Sequence, residues 1–268
     1  MTLLLADNLS ISFGGLKAVQ GFGVELHRGA LHGLIGPNGA GKTTCFNLLT
    51  GVYLPQSGRI ELAGKNLVGL SPDRIAQAGL SRTFQNIRLF PDLTVADNLR
   101  VAMHLRENLS LAGTLFRSRK FRTTELEQSR RADQLLRFFN LDHRARDLAR
   151  NLPYGDQRRL EILRAIATGP KLVLLDEPAA GMNPAEKLEL ADSIRRIRDE
   201  FQVTVLLIEH DMTLVMNLCE NITVLDYGVI IAEGMPAKIR TDPKVIEAYL
   251  GVPADAQADA QADAQAIA

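Results

Sequence analysis

One short stretch constrains the fold of this chain more than any other: residues 36–43 read GPNGAGKT. They match G-x-x-x-x-G-K-[ST] at every fixed position, between the strand-like LHGLI and the helix-like TTCFNLLTG. Strand, glycine-rich loop and helix in this order are typical of a loop whose backbone N–H groups surround phosphate oxygens. A glycine-rich turn that merely resembles the pattern would not account for both flanking elements. The stretch therefore predicts an α/β fold that binds a nucleotide.

The residue types of this loop determine what it can bind. Glycines let the backbone approach phosphate without Cβ clashes, and the helix N-terminus adds a favourable dipole potential. Lys42 would place its charge on the outer phosphates, and the Thr43 hydroxyl can ligate magnesium. We therefore expect a nucleoside triphosphate with Mg²⁺, bound by Gly36, Pro37, Asn38, Gly39, Ala40, Gly41, Lys42, Thr43 and Thr44.

Strand-like and helix-like runs alternate along most of the chain. LVLLDE and TVLLIEH are almost continuously apolar, which is typical of central strands buried on both faces. Alternation of this kind predicts a mainly parallel sheet covered by helices. Between Pro91 and Asn151 the strand pattern stops and two helix-like stretches follow, which predicts an inserted helical subdomain.

These patterns predict a core of residues 1–90 and 155–250, a helical subdomain at 91–154 and a tail at 251–268. The tail repeats ADAQ, which places Asp side chains at i and i+4 where they repel each other in a helix. We therefore expect a frayed or disordered tail rather than a working element.

Two carboxylates, Asp176 and Glu177, end the apolar run KLVLLDEP. Ligands of parallel sheets gather at the carboxyl ends of the strands. We therefore expect Asp176 to reach the magnesium, directly or through a water molecule. Glu177 can orient or deprotonate a water that attacks the terminal phosphate. The alternative, a simple cap for the following segment, is disfavoured by the phosphate-binding loop.

Three further side chains are candidates because they lie at or just after the ends of predicted strands. His210 ends the apolar run TVLLIE and can donate a hydrogen bond to the terminal phosphate, although a lone histidine is more often structural. Gln85 follows LSRTF, and its neutral amide can touch the magnesium shell and report on it to the helical insertion. Phe13 can stack on a nucleotide base or pack in the core, and the residues alone do not separate these two roles.

Composition and simple sequence patterns argue against a nucleic-acid partner, disulfides, a zinc site, a signal peptide and a membrane span. The formal net charge is zero, so no nucleic-acid partner is expected. The basic excess between Arg117 and Arg150 favours a solvated helical face over a polyanion site. Cys45 and Cys219 fit neither a disulfide framework nor zinc spacing, and we expect them to pack. The start MTLLLADN lacks a signal-peptide pattern, and no apolar run approaches the roughly 20 residues of a membrane span.

Taken in chain order, these features resemble the ATP-binding subunit of an ABC transporter: Phe13, the loop at 36–43, Gln85, the stretch 152–157, Asp176 with Glu177, and His210. The guanine-reading motif N-K-x-D is absent from the sequence. The resemblance implies a P-loop NTPase (RecA-like) core with an additional antiparallel β portion. It also implies that two such subunits enclose two ATP molecules, each between the phosphate-binding loop of one subunit and the signature loop of the other.

Residues 152–157, LPYGDQ, occupy the position of the signature loop, which is usually Leu-Ser-Gly-Gly-Gln. The resemblance implies that Tyr154, Gly155, Asp156 and Gln157 contact the ATP held by the second subunit. Pro153 replaces the serine and removes a hydroxyl and a backbone N–H. We therefore expect the ATP capped by this loop to be held and hydrolysed less well than the other, which favours a heteromer of two ATPases over a homodimer.

Longer stretches, among them SRTFQNIRLFPDLTV, LPYGDQRRLEI and LDEPAAGMNP, resemble the ATP-binding subunits of high-affinity branched-chain amino acid importers. This implies two membrane permease subunits, a second ABC ATPase subunit and a separate solute-binding protein. It places the chain on the cytoplasmic face of the bacterial inner membrane. Urea, amides or other amino acids stay open as solutes, because the cassette does not touch the solute.

Two other classes of function remain as alternatives. A soluble ABC ATPase of DNA repair or translation is disfavoured by the single cassette and the short insert. A nucleotide-gated binding module that scarcely turns over is disfavoured by the presence of Asp176, Glu177 and His210.

Overall fold

The computed structural model describes residues 1–106 and 119–250. Contacts divide the chain into two units, Met1–Leu70 together with the chain from Thr204 onward, and Ser71–Val203. The repeat tail predicted at 251–268 lies outside the described residues, and the bounds 1–90, 91–154 and 155–250 stay predictions.

The described secondary structure follows the alternation expected from the sequence. The strands are β1 (Thr2–Phe13), β2 (Leu16–His27), β3 (Leu31–Ile35), β4 (Ser57–Leu62), β5 (Lys65–Asn66), β6 (Leu80–Arg82), β7 (Leu172–Asp176), β8 (Thr204–Ile208), β9 (Asn221–Asp226) and β10 (Val229–Gly234). The helices are α1 (Lys42–Leu49), α2 (Pro72–Ala78), α3 (Val95–Met103), α4 (Arg119–Phe138), α5 (Tyr154–Ala167), α6 (Pro184–Phe201), α7 (Met212–Leu218), α8 (Pro236–Ile239) and α9 (Pro243–Leu250).

In the first unit, β2, β1, β4 and β5 form an antiparallel sheet in that order. Strand β2 was not predicted from the sequence. The alternation of buried side chains breaks at Gly21, between Val19 and Phe22, and the pairing of β2 with β1 contains several register shifts. Glycine in a strand weakens the pattern and marks irregular pairing, so the partner strand rather than the local sequence defines β2.

A second set of strands in the first unit carries the predicted phosphate-binding loop. Strand β3 pairs in parallel with both β8 and β9, and β10 pairs antiparallel with β9. Every residue of β3 and β8 is buried, as expected of central strands. Because β3 and β8 run in parallel, the segments that follow them leave the sheet at the same edge.

The second unit contains the parallel pair β6 and β7, with Arg82 opposite Leu174. Between these strands, the described backbone is helical or irregular apart from a bridge between Thr94 and Leu148. This agrees with the helical character predicted for that region. Helix α3 begins where the Thr94 hydroxyl accepts a hydrogen bond from the N–H of Asp97, a typical N-cap.

Both cysteines are buried and free, as predicted. Burial raises the pKa of the Cys219 thiol to about 12 and also raises that of Cys45. Both therefore remain protonated at neutral pH. None of the helices within 1–106 and 119–250 combines the length and apolarity needed to cross a membrane.

Candidate functional site

The loop between β3 and α1 requires glycine at two positions for steric reasons. Gly36 has φ 151°, and a Cβ there would lie 2.0 Å from the carbonyl oxygen of Leu225. Gly41 has φ 102°, and a Cβ there would lie 2.6 Å from the carbonyl oxygen of Ala18. Neither distance is compatible with a side chain. These glycines therefore let neighbouring backbone approach the loop, in addition to any role in phosphate binding.

Hydrogen bonds hold this loop from inside and outside. The Lys42 ammonium donates to the carbonyl oxygens of Gly36 at 2.7 Å and Pro37 at 2.9 Å. From outside, the N–H of Gly228 donates to the carbonyl oxygen of Ala40 at 2.9 Å. Gly228 lies in the turn between β9 and β10 and accepts in turn from the N–H of Gln20 at 2.8 Å. The turn was not predicted as part of the site, although its glycine is a turn signal.

The loop fits the phosphate chain of a nucleotide. Asn38 and Gly39 are exposed, and a Cβ at Gly39 would meet nothing within 4 Å, so the top of the loop is open to a ligand. The first N–H groups of a helix have no partner within the helix, and here they belong to the first turn of α1. Thr43, in that turn, is exposed, and Thr44 is half-buried. Backbone donors, a lysine and a hydroxyl thus stand together, which is the donor set for phosphate and magnesium.

Phe13 ends β1 and is 44% exposed. Its ring packs edge-to-face on Tyr53, with ring centroids 5.1 Å apart. One edge of the ring is therefore held by protein while much of its surface remains accessible. This arrangement is compatible both with packing against the protein and with stacking on a nucleotide base, and base stacking stays a prediction.

His210 follows β8, and the phosphate-binding loop follows the paired strand β3. The backbone N–H of His210 donates to the buried carboxylate of Glu209 at 3.2 Å, while the imidazole is 60% exposed. Asp211 accepts from the N–H of Leu214 and caps α7. The three polar residues of this segment thus have separate tasks, and the histidine is the one whose side chain faces outward.

In the second unit, Asp176 is held by an arginine that was not predicted. The guanidinium of Arg82 donates to Asp176 Oδ2 at 2.7 Å, and both side chains are buried. The N–H of Asp176 donates to the hydroxyl of Thr83 at 3.2 Å. Arg82 and Thr83 belong to the segment that begins with β6, which pairs with β7. The pairing of these strands therefore sets the orientation of the predicted magnesium ligand.

Glu177 and Gln85, predicted separately, are in contact. The Gln85 amide donates to Glu177 Oε2 at 3.0 Å. Glu177 itself has φ 47°, a left-handed backbone conformation that is unfavourable for a residue with a Cβ. Residues held in such conformations cluster at functional sites.

No group of three or more His, Cys, Asp or Glu side chains suited to a metal occurs within residues 1–106 and 119–250. Magnesium bound with a nucleotide needs only one or two carboxylates from the protein, because phosphates, water and other oxygen donors complete its shell. Thr43, Gln85 and Asp176 match this limited requirement in ligand type.

The predicted signature loop leads into α5, with Pro153 as N-cap residue and no side-chain cap. The Gln157 amide is used within the loop, donating to the carbonyl oxygen of Leu152 at 2.8 Å. Tyr154 is 48% exposed, and its ring lies beside Gly181, where a Cβ would come within 3.3 Å. The exposed surface of this loop therefore includes the Tyr154 ring and the helix start without a side-chain cap.

The charges beside the signature loop are locally balanced. The carboxylate of Asp156, which is half-buried, lies 3.6 Å from the Nε of Arg144 and 3.7 Å from the guanidinium of Arg159.

Asn183 forms a capping box with Glu186 at the start of α6. Its amide therefore has a structural role at the start of that helix.

Arg158 is the main feature that sequence reasoning missed. It is fully buried, and its guanidinium donates to the carbonyl oxygens of Phe84 and Gln85, to Glu161 and to the Tyr154 hydroxyl. The signal was present as an Arg and a Glu three residues apart in RRLEILRAIA, at the point where the helix becomes mostly apolar. Buried charges of this kind are paired or functional.

Comparison with family models supports the resemblance. A model described as "ABC transporter" matches residues 19–180. A second, described as "Branched-chain amino acid ATP-binding cassette transporter", matches residues 229–255.

Two curated relatives are similar over nearly their whole length. BraF of Pseudomonas aeruginosa and LivG of Escherichia coli (strain K12) are each 47% identical to the chain over 249 residues, which is 93% of this chain and 98% of each relative. Both are described as high-affinity branched-chain amino acid transport ATP-binding proteins.

A solved structure of MJ1267, an ATP-binding cassette of an ABC transporter in its ADP conformation, is similar in fold. It has a TM-score of 0.81 at 31% identity, covering 94% of this chain and 100% of that one. This likeness confirms the predicted fold class, an α/β P-loop NTPase with parallel and antiparallel strands.

Proposed function

The chain belongs to the ABC transporter family, and on that premise we propose that it binds and hydrolyses ATP to drive an importer of branched-chain amino acids. The observation that carries the ATPase part is the hydrogen bond between Gln85 and Glu177, which holds a carboxylate in place beside a candidate magnesium ligand. The names of the relatives at 47% identity and the match of residues 229–255 support the solute.

ATP is assigned to the loop at 36–44, with Phe13 against the base. Lys42 lies inside the loop and supplies a fixed positive charge for the outer phosphates. Thr43, Gln85 and Asp176 would hold magnesium, which neutralises charge on the phosphates when it is bound. The Arg82 guanidinium keeps the Asp176 carboxylate oriented for that role.

Glu177 orients or deprotonates the attacking water, and His210 donates a hydrogen bond to the terminal phosphate. The Gln85 amide suits this arrangement because it restrains the Glu177 carboxylate without adding a charge. The exposed imidazole of His210 suits a contact with a ligand rather than with the core.

The family and the names of its relatives support permease partners in a membrane and a peripheral location for this chain. We propose two permease subunits, a second ABC ATPase and a solute-binding protein, with this chain on the cytoplasmic face of the inner membrane. Pro153 in the signature loop favours a different ATPase, rather than a second copy, as the opposite subunit.

The test is solute-stimulated ATP hydrolysis by the assembled complex. We expect leucine, isoleucine or valine, presented with the binding protein, to stimulate phosphate release. Stimulation by urea or amides instead would refute the solute assignment while leaving the ATPase assignment intact.

The matched variant is Glu177→Gln, which keeps the size of the side chain and removes its basicity. We expect MgATP binding to survive and phosphate release to fall by about 100-fold or more. Full turnover in this variant would remove Glu177 from the catalytic role.

A further inference from the structure

Arg158 lies within the second turn of α5 and has no exposed side-chain surface. Its guanidinium contacts three separate parts of the chain: the segment after β6, the start of α5 and the next turn of that helix. A buried charge is costly unless it is paired and hydrogen-bonded. An apolar residue could fill the same space without this cost. The presence of an arginine therefore indicates that its hydrogen bonds have a role.

Glu161 completes the arrangement. Its Oε2 accepts from Arg158 at 3.0 Å, and its Oε1 accepts from the N–H of Arg88 at 3.1 Å and of Phe84 at 3.4 Å. Arg158 in turn donates to the carbonyl oxygen of Phe84 at 2.7 Å. The Arg158–Glu161 pair thus bonds backbone N–H and carbonyl groups of the segment 84–88, which forms no helix or strand of its own.

A continuous set of hydrogen bonds leads from the signature loop to the catalytic glutamate of the same chain. The guanidinium of Arg158 bridges the Tyr154 hydroxyl, at 3.2 Å, and the carbonyl oxygen of Gln85, at 2.7 Å. The side chain of Gln85 then donates to Glu177 at 3.0 Å. Arg158 therefore restrains the backbone of the residue whose amide restrains Glu177.

We propose that Arg158 is a positioning residue that orients Glu177 through Gln85 and makes this orientation depend on the Tyr154 hydroxyl. The proposal rests on the proposed function, because it takes Glu177 as the hydrolytic residue and Tyr154 as a contact to the opposite subunit. Engagement of the signature loop by the opposite cassette is thereby linked to hydrolysis in this chain.

The main test is Arg158→Lys in the assembled complex, since lysine keeps the charge but lacks the planar guanidinium that bonds the four acceptors around Arg158 at once. We expect kcat for ATP to fall by about 10-fold or more, because small displacements of catalytic groups are costly. The KM for MgATP should change by less than kcat does, because the phosphate-binding loop at 36–44 is left unchanged.

A double-mutant cycle with Gln85→Ala separates positioning from a general structural effect. Alanine keeps the carbonyl oxygen that Arg158 contacts but removes the amide that holds Glu177. In this background we expect Arg158→Lys to lower kcat by less than about twofold. The same factor in both backgrounds, or an unchanged kcat in Arg158→Lys alone, would overturn the proposal.

Tyr154→Phe keeps the ring and leaves the other hydrogen bonds of Arg158 in place, so it tests the link even if Arg158→Lys does not fold. We expect kcat to fall by about 10-fold, the scale of one hydrogen bond that involves a charged group, and an unchanged kcat would refute the role of the hydroxyl. Arg195→Lys is the matched control, because Arg195 forms an exposed pair with Asp192 on α6, and we expect no change.

Failure of the proposed function is a different result. It would appear as no MgATP hydrolysis by the unmodified complex or as full turnover in Glu177→Gln, and either result would overturn both proposals. Unmodified activity that is lost in Glu177→Gln but insensitive to Arg158→Lys would overturn only the positioning proposal.

Discussion

The side-chain amide of Gln85 donates a hydrogen bond to the Glu177 carboxylate over 3.0 Å, although the two residues are 92 positions apart. Gln85 was expected to touch the magnesium shell. The contact adds a second task, because the same amide restrains the residue assigned to activate water. A glutamine suits both tasks, since it offers a carbonyl oxygen to a cation and an N–H to a carboxylate.

Replacing Pro153 by serine should strengthen the signature loop. Pro153 is the N-cap residue of α5 and provides no side-chain cap, whereas serine restores a hydroxyl and a backbone N–H. A hydrogen bond to a charged group contributes about 1.5–3 kcal/mol, so ATP hydrolysis or ATP-driven dimerisation should increase by about 10-fold or more. Steady-state ATPase assays and ATP-dependent sedimentation of a Glu177→Gln background measure the two effects.

The control for Pro153→Ser is Pro72→Ser, at the exposed start of α2. It should change neither quantity. Equal behaviour of Pro153→Ser and the unmodified chain in both assays would contradict the weakened signature site.

Alanine at Gly36 should disrupt the phosphate-binding loop. Its Cβ would lie 2.0 Å from the Leu225 carbonyl oxygen, so the loop or β9 must move. We expect MgATP affinity to fall by about 100-fold or more, because displacement of ligand-binding groups by 1 Å has effects of this size. Gly15→Ala is the control, since a Cβ there meets nothing within 4 Å. Equilibrium binding of a fluorescent ATP analogue compares the two, and retained affinity in Gly36→Ala would show that the close approach is not required.

Arg82→Met should destabilise the chain by removing the partner of a buried carboxylate. Arg82 and Asp176 are paired at 2.7 Å with side chains only 7% and 4% exposed. Breaking a buried pair on one side costs about 3–5 kcal/mol. The exposed pair of Arg59 and Asp7 serves as control, and Arg59→Met should change the free energy of unfolding by less than about 1 kcal/mol. Urea unfolding of both variants measures the difference, and equal losses would contradict the prediction.

His32 should make stability depend on mildly acidic pH. Burial lowers the pKa of its imidazole from 6.5 to about 4. Above pH 6.5 the histidine is neutral in both the folded and the unfolded chain. As the pH falls from 6.5 towards 4, the unfolded chain binds a proton that the folded chain does not. The free energy of unfolding should therefore decrease by about 1.4 kcal/mol per pH unit in this range.

His32→Gln isolates this contribution, because glutamine can still bond the Thr223 hydroxyl that lies 2.8 Å from His32 Nε2. Urea unfolding at pH 7.5 and pH 5 should show that the unmodified chain loses about 2 kcal/mol more than the variant over that interval. Identical pH dependence in the two chains would show that His32 does not titrate in this way.

The sequence by itself determined the phosphate-binding loop, the buried strands β3, β7 and β8, and the carboxylates that follow β7. In these cases the same residue types favour the local backbone conformation and supply the chemistry of the site, so a short stretch of sequence indicates both. Strand β2 escaped prediction because its alternation breaks at Gly21, and its pairing with β1 defines it instead.

Only the tertiary structure decided what surrounds the candidate residues. Gly36 must accommodate Leu225, Arg82 orients Asp176, and Arg158 joins Tyr154 to Gln85. Most of these contacts join residues that are distant in the chain, and no sequence spacing indicates them. Spacing shows which side chains can share a helix face or a strand end. The partner that a buried donor or carbonyl finds depends on how separate segments pack, because desolvated polar groups must be satisfied by whatever the fold brings within reach.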